Sequence, residues 1–112
     1  MNESLLKCKP KRIENQEIRP IYESERVVII YPKKFGKIEQ WIRKKIGGPK
    51  EVRRPLDRFT TFIWENCNGN KNIAEIITDL DIVFGEEVAP ADVRVQKFIT
   101  QLLELNLVTL IE

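Results

Sequence analysis

The stretch LDRFTTFIWENCNGNKNIAEI, residues 56–76, decides the fold because it reads as two amphipathic helices joined by a short turn. Asp57 is a good helix N-cap, since its carboxylate can accept from the free N–H groups of the first turn. Gly69 is placed to end the turn after the first helix. Asn72 followed by Glu75 resembles a capping box for the second helix. A helix-turn-helix of this kind raises the question of whether the protein reads DNA.

A third helix follows from residue 90, because proline is tolerated at the first helical position, where its missing N–H would have no partner. The inward positions of the second and third helices recur at helical spacing. In the second helix they are Ile73, Ile76, Ile77, Leu80 and Phe84, and in the third they are Val95, Phe98, Ile99 and Leu102.

Short strands flank this helical core. Residues 18–23 suit an edge strand, since Pro20 cannot donate a ladder hydrogen bond. Residues 26–31 (RVVIIY) are β-branched and continuous, residues 50–55 lead into the first core helix, and residues 107–111 read as a closing strand. This order predicts an α+β fold with a winged-helix-like three-helix core and a small N-terminal antiparallel sheet.

Two basic segments lie in the N-terminal half. Residues 1–17 are polar, contain KCKPKR and are predicted to form a flexible arm, which leaves residues 18–112 as the folded domain. Within that domain an inserted helix is predicted at about residues 35–47, with Trp41 on its apolar face. Its opposite face carries lysines and Arg43, so the helix either packs on the core with solvated cations or contacts nucleic acid or anionic lipid.

The composition argues against catalysis and metal binding. The 112-residue chain is 42% hydrophobic and 32% charged, as expected for one globular domain. It has no histidine and only two cysteines, so it offers neither a zinc ligand set nor a Ser or Cys triad. We therefore predict no enzyme activity, no metal and no cofactor, and interpret Cys67 as a structural cysteine and Trp64 as a core residue.

Apolar runs and charge bear on location and partners. No run approaches the roughly 20 residues of a membrane span and no signal-peptide block is present, which predicts a cytoplasmic protein. Residues 1–54 hold 15 Lys/Arg against 7 Asp/Glu, and residues 55–112 hold 4 against 10. The two halves either attract each other or mark a basic surface for an acidic partner.

The charges of the helices disfavour DNA reading. The third helix offers Arg94, Gln96, Lys97 and Gln101 to a groove but also carries Asp92 and Glu104, so its charge sums to zero. Since phosphate neutralisation dominates DNA affinity, a helical half with excess acid makes a poor duplex reader.

Residues 56–80 together with RVQKFITQLLELNLV (94–108) resemble the PqqD-like family, the RiPP recognition elements of peptide natural-product biosynthesis. The matching features are the Leu-Asp opening, the Ile-Trp pair, the glycine turn, the Ile-x-Glu-Ile step and the final Leu-Val. The matching residues are Leu56, Asp57, Ile63, Trp64, Gly69, Ile73, Glu75, Ile76, Leu80, Phe98, Leu102, Leu107 and Val108. Residues 35–49 are an insertion relative to the shortest members.

The resemblance implies a non-catalytic module that binds the leader of a precursor peptide by strand addition and presents it to a modifying enzyme, commonly a radical S-adenosylmethionine enzyme. Carried over by position, the peptide lies between the strand at residues 50–54 and the last helix. The implied peptide-binding residues are Lys50, Glu51, Val52, Arg53, Arg54, Arg94, Lys97 and Gln101.

Two other functions compete with this one. A winged-helix nucleic-acid-binding protein would use the basic arm and the inserted helix, and a scaffold protein would place the inserted helix on anionic lipid. Exposed strands on the N-terminal side also leave room for an edge-paired homodimer.

Overall fold

The computed structural model describes residues 3–32 and 51–112, and the predicted helix at about 35–47 lies outside them. The fold is α+β, as predicted, with five strands and four α-helices in the described part. The strands are β1 (Lys9–Arg12), β2 (Arg19–Glu23), β3 (Arg26–Pro32), β4 (Glu51–Pro55) and β5 (Val108–Ile111). The helices are α1 (Glu3–Leu6), α2 (Arg58–Asn66), α3 (Ile73–Phe84) and α4 (Ala91–Glu104), with a 3₁₀ turn at Gly85–Val88 between α3 and α4.

Reciprocal capping boxes begin α2 and α3. Asp57 Oδ1 accepts from the Thr60 amide at 2.8 Å, and the Thr60 hydroxyl accepts from the Asp57 amide at 3.0 Å. Asn72 and Glu75 exchange the same pair of bonds at 2.8 and 3.0 Å. Both caps satisfy N–H groups that have no partner within the helix, which confirms the predicted starts of the two helices.

The start of α4 differs from the prediction by one residue. Pro90 was expected at the first helical position, but it has extended backbone angles and is the N-cap, and Ala91 begins the helix. The Pro90 carbonyl accepts from the Arg94 amide at 3.3 Å. Proline therefore precedes this helix as its cap, a position that also needs no N–H donor within the helix.

Strands β2, β3 and β4 form one antiparallel sheet in that order. The β2–β3 hairpin turns through Ser24 and Glu25, whose φ angles of 52° and 66° are those of a type I′ turn. Glu23 and Arg26 are partners beside this turn, and Ile30 pairs with Arg53 across β3–β4. Strand β4 thus forms one side of the sheet, and the chain runs from it directly into α2.

The N-terminal segment corrects the prediction of a flexible arm over residues 1–17. Residues 9–12 form β1, which pairs with β5. On its other side β1 contacts the α2–α3 turn, where the Gly69 amide donates to Pro10 O at 2.9 Å and the Arg12 amide donates to Cys67 O at 2.9 Å. Polar strand residues gave no apolar pattern to recognise, and the pairing partner lies at the opposite end of the chain.

The core lies between the three-stranded sheet and the helices. The inner face of β3 contributes Val27, Ile29 and Tyr31. The helices contribute the residues at the predicted spacing, among them Ile63, Trp64, Ile73, Ile76, Leu80, Val95, Phe98, Ile99 and Leu102. Trp64 is 3% exposed, which confirms that it is a core residue.

Candidate functional site

The free side of β4 presents backbone hydrogen-bonding groups. In an antiparallel ladder, successive residues alternate between bonding to the partner strand and pointing away from it. The Leu56 amide donates to Val27 O at 2.8 Å, so Leu56, Arg54 and Val52 bond toward β3. The N–H and C=O groups of Glu51 and Arg53 therefore point to the other side, where the described residues place no strand.

The opposite edge of the sheet is less able to accept a strand. Because Glu23 and Arg26 bond across the turn, the alternation turns Pro20 and Tyr22 toward the free side of β2. Pro20 has no N–H, so Tyr22 supplies the one donor that this five-residue strand offers outward. The two free sides of the sheet thus differ in donor groups, with two on β4 and one on β2.

The side chains of β4 divide between the two faces of the sheet. Glu51 and Arg53 lie on the outer face, where they form ion pairs with Arg19 and Glu23 of β2. Arg54 lies on the inner face, half-buried, and its Nε donates to the Tyr31 hydroxyl at 3.3 Å. The structure therefore places the side chains of Arg53 and Arg54 on opposite faces, although the sequence analysis assigned both residues to one peptide-binding groove.

The predicted residues of α4 share one flank of the helix. Arg94, Lys97 and Gln101 are spaced i, i+3 and i+7, so they lie in a row. Arg94 and Lys97 are exposed and Gln101 is half-buried. Within residues 3–32 and 51–112, Arg94 and Lys97 have no carboxylate within ion-pair distance, and neither has Arg54. Lys50, the remaining predicted residue, lies outside the described ranges.

Arg94 connects α4 to the segment that follows β4. Its guanidinium lies over the Phe59 ring, 5.7 Å from the centroid. Burial raises the pKa of Asp57, but the Thr60 amide and hydroxyl, the Phe59 amide and the charge of Arg94 outweigh burial and lower that pKa. The first turn of α4 therefore lies beside the first turn of α2, next to the end of β4. Sequence reasoning missed Phe59 and Tyr31, because their role depends on contacts between distant elements.

The described residues do not offer an activated nucleophile at Cys67. Its side chain is fully buried and its Sγ donates to Ile63 O at 3.2 Å. Burial raises the pKa of this thiol to about 12, with Arg12 acting weakly in the opposite direction. The same ranges contain no cluster of His, Cys, Asp and Glu residues suited to a metal ion, and none of their helices has the length and apolar character to cross a membrane.

Two clefts flank residues 13–18, and sequence reasoning did not anticipate either of them. One, of about 480 Å³, lies between this segment, Pro20 and Trp64. The other, of about 430 Å³, lies between the segment, the end of β3 and residues 105–107. Both are lined mainly by apolar surface and lie away from the residues at the start of α2 and α4.

The comparison with known families gives the class of the domain. The family model described as coenzyme PQQ synthesis protein D (PqqD) matches residues 52–108, which run from β4 to the first residue of β5. The match is to a family of RiPP precursor recognition domains. The chain belongs to the PqqD family, and the predicted resemblance is confirmed. Members of the family are accessory, non-catalytic binding proteins of PQQ and RiPP biosynthesis. Neither the curated proteins nor the solved structures contain a match to the chain.

Proposed function

We propose that this protein binds an extended segment of a precursor peptide along the free side of β4 and presents it to a modifying enzyme. The observation that carries the proposal is the outward direction of the Glu51 and Arg53 backbone groups on a strand edge that no described strand covers. An added peptide strand would bond to these groups, and its side chains would alternate between the two faces.

The charges near this edge favour an acidic peptide. Arg54, Arg94 and Lys97 lack carboxylate partners among residues 3–32 and 51–112, whereas Arg19 and Arg53 on the outer face of the sheet are paired with Glu51 and Glu23. Cations without partners attract an acidic segment at long range and form ion pairs with it at short range. The partner enzyme, a radical S-adenosylmethionine enzyme or an enzyme of another class, would then act on the peptide held at this edge.

A pair of proline substitutions tests the edge. Arg53→Pro removes an outward N–H from β4, and Tyr22→Pro removes one from β2, and neither N–H bonds to β3. Arg53→Ala and Tyr22→Ala control for the loss of the Glu23 ion pair and of the Tyr22–Glu65 hydrogen bond. The probe is a fluorescein-labelled peptide selected on the wild-type protein from displayed random peptides, and binding is read by anisotropy.

We expect Arg53→Pro to weaken binding by at least about tenfold, the loss of roughly one backbone hydrogen bond and its alignment. Binding should be retained by Tyr22→Pro and by both alanine variants. Thermal melting confirms that each variant is folded. Equal weakening by Arg53→Pro and Tyr22→Pro, or none by Arg53→Pro, would contradict strand addition at β4.

A further inference from the structure

Three half-buried phenylalanines form a cluster where the ends of three helices meet. Phe59 is in the first turn of α2, Phe62 is one turn further along it, and Phe84 is the last residue of α3. Phe84 makes edge-to-face contacts with both, at centroid distances of 4.9 Å to Phe59 and 5.6 Å to Phe62. These contacts hold the Phe59 ring in a defined position just beyond β4.

Two guanidinium groups lie against Phe59, and they differ in what their N–H groups do. Arg58 lies 4.8 Å from the ring centroid and forms an ion pair with Glu87. Arg94 lies 5.7 Å from the same centroid and forms no ion pair within the described part of the chain. The Asp57 carboxylate, whose pKa the charge of Arg94 helps to lower, is already bonded to the Thr60 amide and hydroxyl. Arg94 is therefore positioned, but no acid among residues 3–32 and 51–112 neutralises it directly.

A guanidinium stacked on an aromatic ring is well suited to receive a carboxylate. Stacking uses the face of the planar group and leaves the N–H donors on its edge available for bidentate bonding. Because the ring already restricts the side chain, less conformational entropy is lost when a ligand binds. Lys97, one turn along the same flank, adds a second cation without fixing a geometry.

The position of Arg94 relative to β4 defines which part of a peptide would reach it. Pro55 ends β4 and has no N–H, so an added strand has no donor to bond with beyond Arg53. Peptide side chains opposite Val52 and Arg54 lie on the inner face, on the helix side, and those opposite Arg53 lie on the outer face. The inner-face residue at the Pro55 end of the peptide is therefore the one nearest to the start of α4.

We infer that Arg94, held on Phe59, is a specificity subsite for an aspartate or glutamate side chain of the bound peptide, at the inner-face position next to the Pro55 end of β4. This inference rests on the proposed function. The inference adds that the recognised peptide carries an acidic residue at a fixed position. That residue is next in sequence to the peptide residue that bonds to the backbone of Arg53.

Selection from random 12-residue peptides displayed on phage tests the subsite on the full-length protein. The wild type, Arg94→Gln, Arg94→Glu and Arg26→Gln are compared, and the last variant removes an exposed cation of β3 on the outer face of the sheet. We expect aligned wild-type sequences to prefer Asp or Glu at one position. Arg94→Gln should remove that preference and no other, Arg94→Glu should replace it with Lys or Arg, and Arg26→Gln should leave it unchanged.

A double-mutant cycle gives the magnitude. A selected peptide and its acid-to-amide variant should differ by about tenfold in affinity for the wild type, and by less than about twofold for Arg94→Gln. Melting temperatures verify folding. An acidic preference that survives Arg94→Gln overturns the subsite while strand addition at β4, tested by Arg53→Pro, still stands. Failure of the wild type to select any peptide overturns both.

Discussion

Cys67 lies at the end of α2 with none of its surface exposed, and its environment links the stability of the fold to pH. Burial raises its pKa to about 12, above the value of about 8.5 for a thiol in an unfolded chain. Below the unfolded value the thiol is protonated in both states. Above it, the unfolded chain releases a proton that the folded protein retains, so this contribution to stability decreases as pH rises toward 12.

Comparison of the wild type with Cys67→Ala should reveal this dependence. We expect the wild type to be the more stable protein at pH 8, because alanine leaves a cavity at a buried site. That advantage should shrink by about 1.4 kcal/mol per pH unit above about pH 9. Urea unfolding at several pH values measures it, and Ile63→Val, a nearby substitution that cannot titrate, serves as the control. A constant difference between wild type and Cys67→Ala would contradict the assignment of a strongly raised pKa.

At the scale of secondary-structure elements, β1 has a role that a solvated arm would not have. Arg12 extends from β1 to the end of α2, where its Nη1 donates to Trp64 O at 2.7 Å and to Glu65 O at 2.9 Å. The last carbonyl groups of a helix have no partner within it. The guanidinium of Arg12, a residue of β1, therefore caps the C-terminal end of α2. The guanidinium also lies 5.8 Å from the centroid of the Trp64 ring.

Removal of this cap should destabilise the protein. We expect Arg12→Met, which keeps the aliphatic stem, to lower the free energy of unfolding by about 1.5–3 kcal/mol, the usual range for hydrogen bonds to a charged group. Lys11→Met, an exposed neighbour on the same strand, should change it by less than about 0.5 kcal/mol. Urea unfolding followed by tryptophan fluorescence gives both values. Equal stability of the two variants would mean that β1 does not support α2.

Some secondary-structure elements could be predicted from the sequence and others could not. The starts of α2 and α3 could be predicted, because Asp57 and Asn72 bond to residues three positions away and the signal is local. Strand β1 could not, because its residues alternate lysine with proline or arginine and its partner β5 is about a hundred residues distant. The opposite directions of the Arg53 and Arg54 side chains could be predicted, because side chains alternate between the two faces of a strand. The ion pair of Arg53 with Glu23 could not, because it depends on the order of the strands in the sheet. The contact of Arg94 with Phe59 could not be predicted either, because it joins two helices that are not consecutive in the chain.

At the scale of the whole molecule, the distribution of charge separates the peptide and nucleic-acid hypotheses. Residues 55–112, which include α2, α3 and α4, hold 4 Lys/Arg and 10 Asp/Glu. The cations of α4 that lack partners among the described residues lie in the first half of the row that also carries Gln101. Asp92 lies on another face, and Glu104 lies at the C-terminal end of the row. Such a surface suits a short acidic chain at one flank better than two phosphate backbones across a duplex.

Duplex DNA should therefore bind weakly. We expect a labelled duplex of about 20 base pairs to show no saturable binding at about 0.15 M salt, and whatever binding appears at low salt should fall steeply as salt rises. Fluorescence anisotropy across a salt series measures this, with the selected acidic peptide as the positive control. Submicromolar duplex affinity at physiological salt would favour the nucleic-acid alternative.

The proline in β2 has a consequence for how the molecule behaves at high concentration. Fibril growth by edge-to-edge pairing requires that both edge strands of each sheet accept a neighbouring strand. If one edge strand does not, growth stops at the first contact. With Pro20 as the second residue of β2, that side supplies one outward N–H to an approaching chain. The edge of β4 that no described strand covers can thus stay available for a ligand, because the other edge of the same sheet resists the pairing that fibril growth needs.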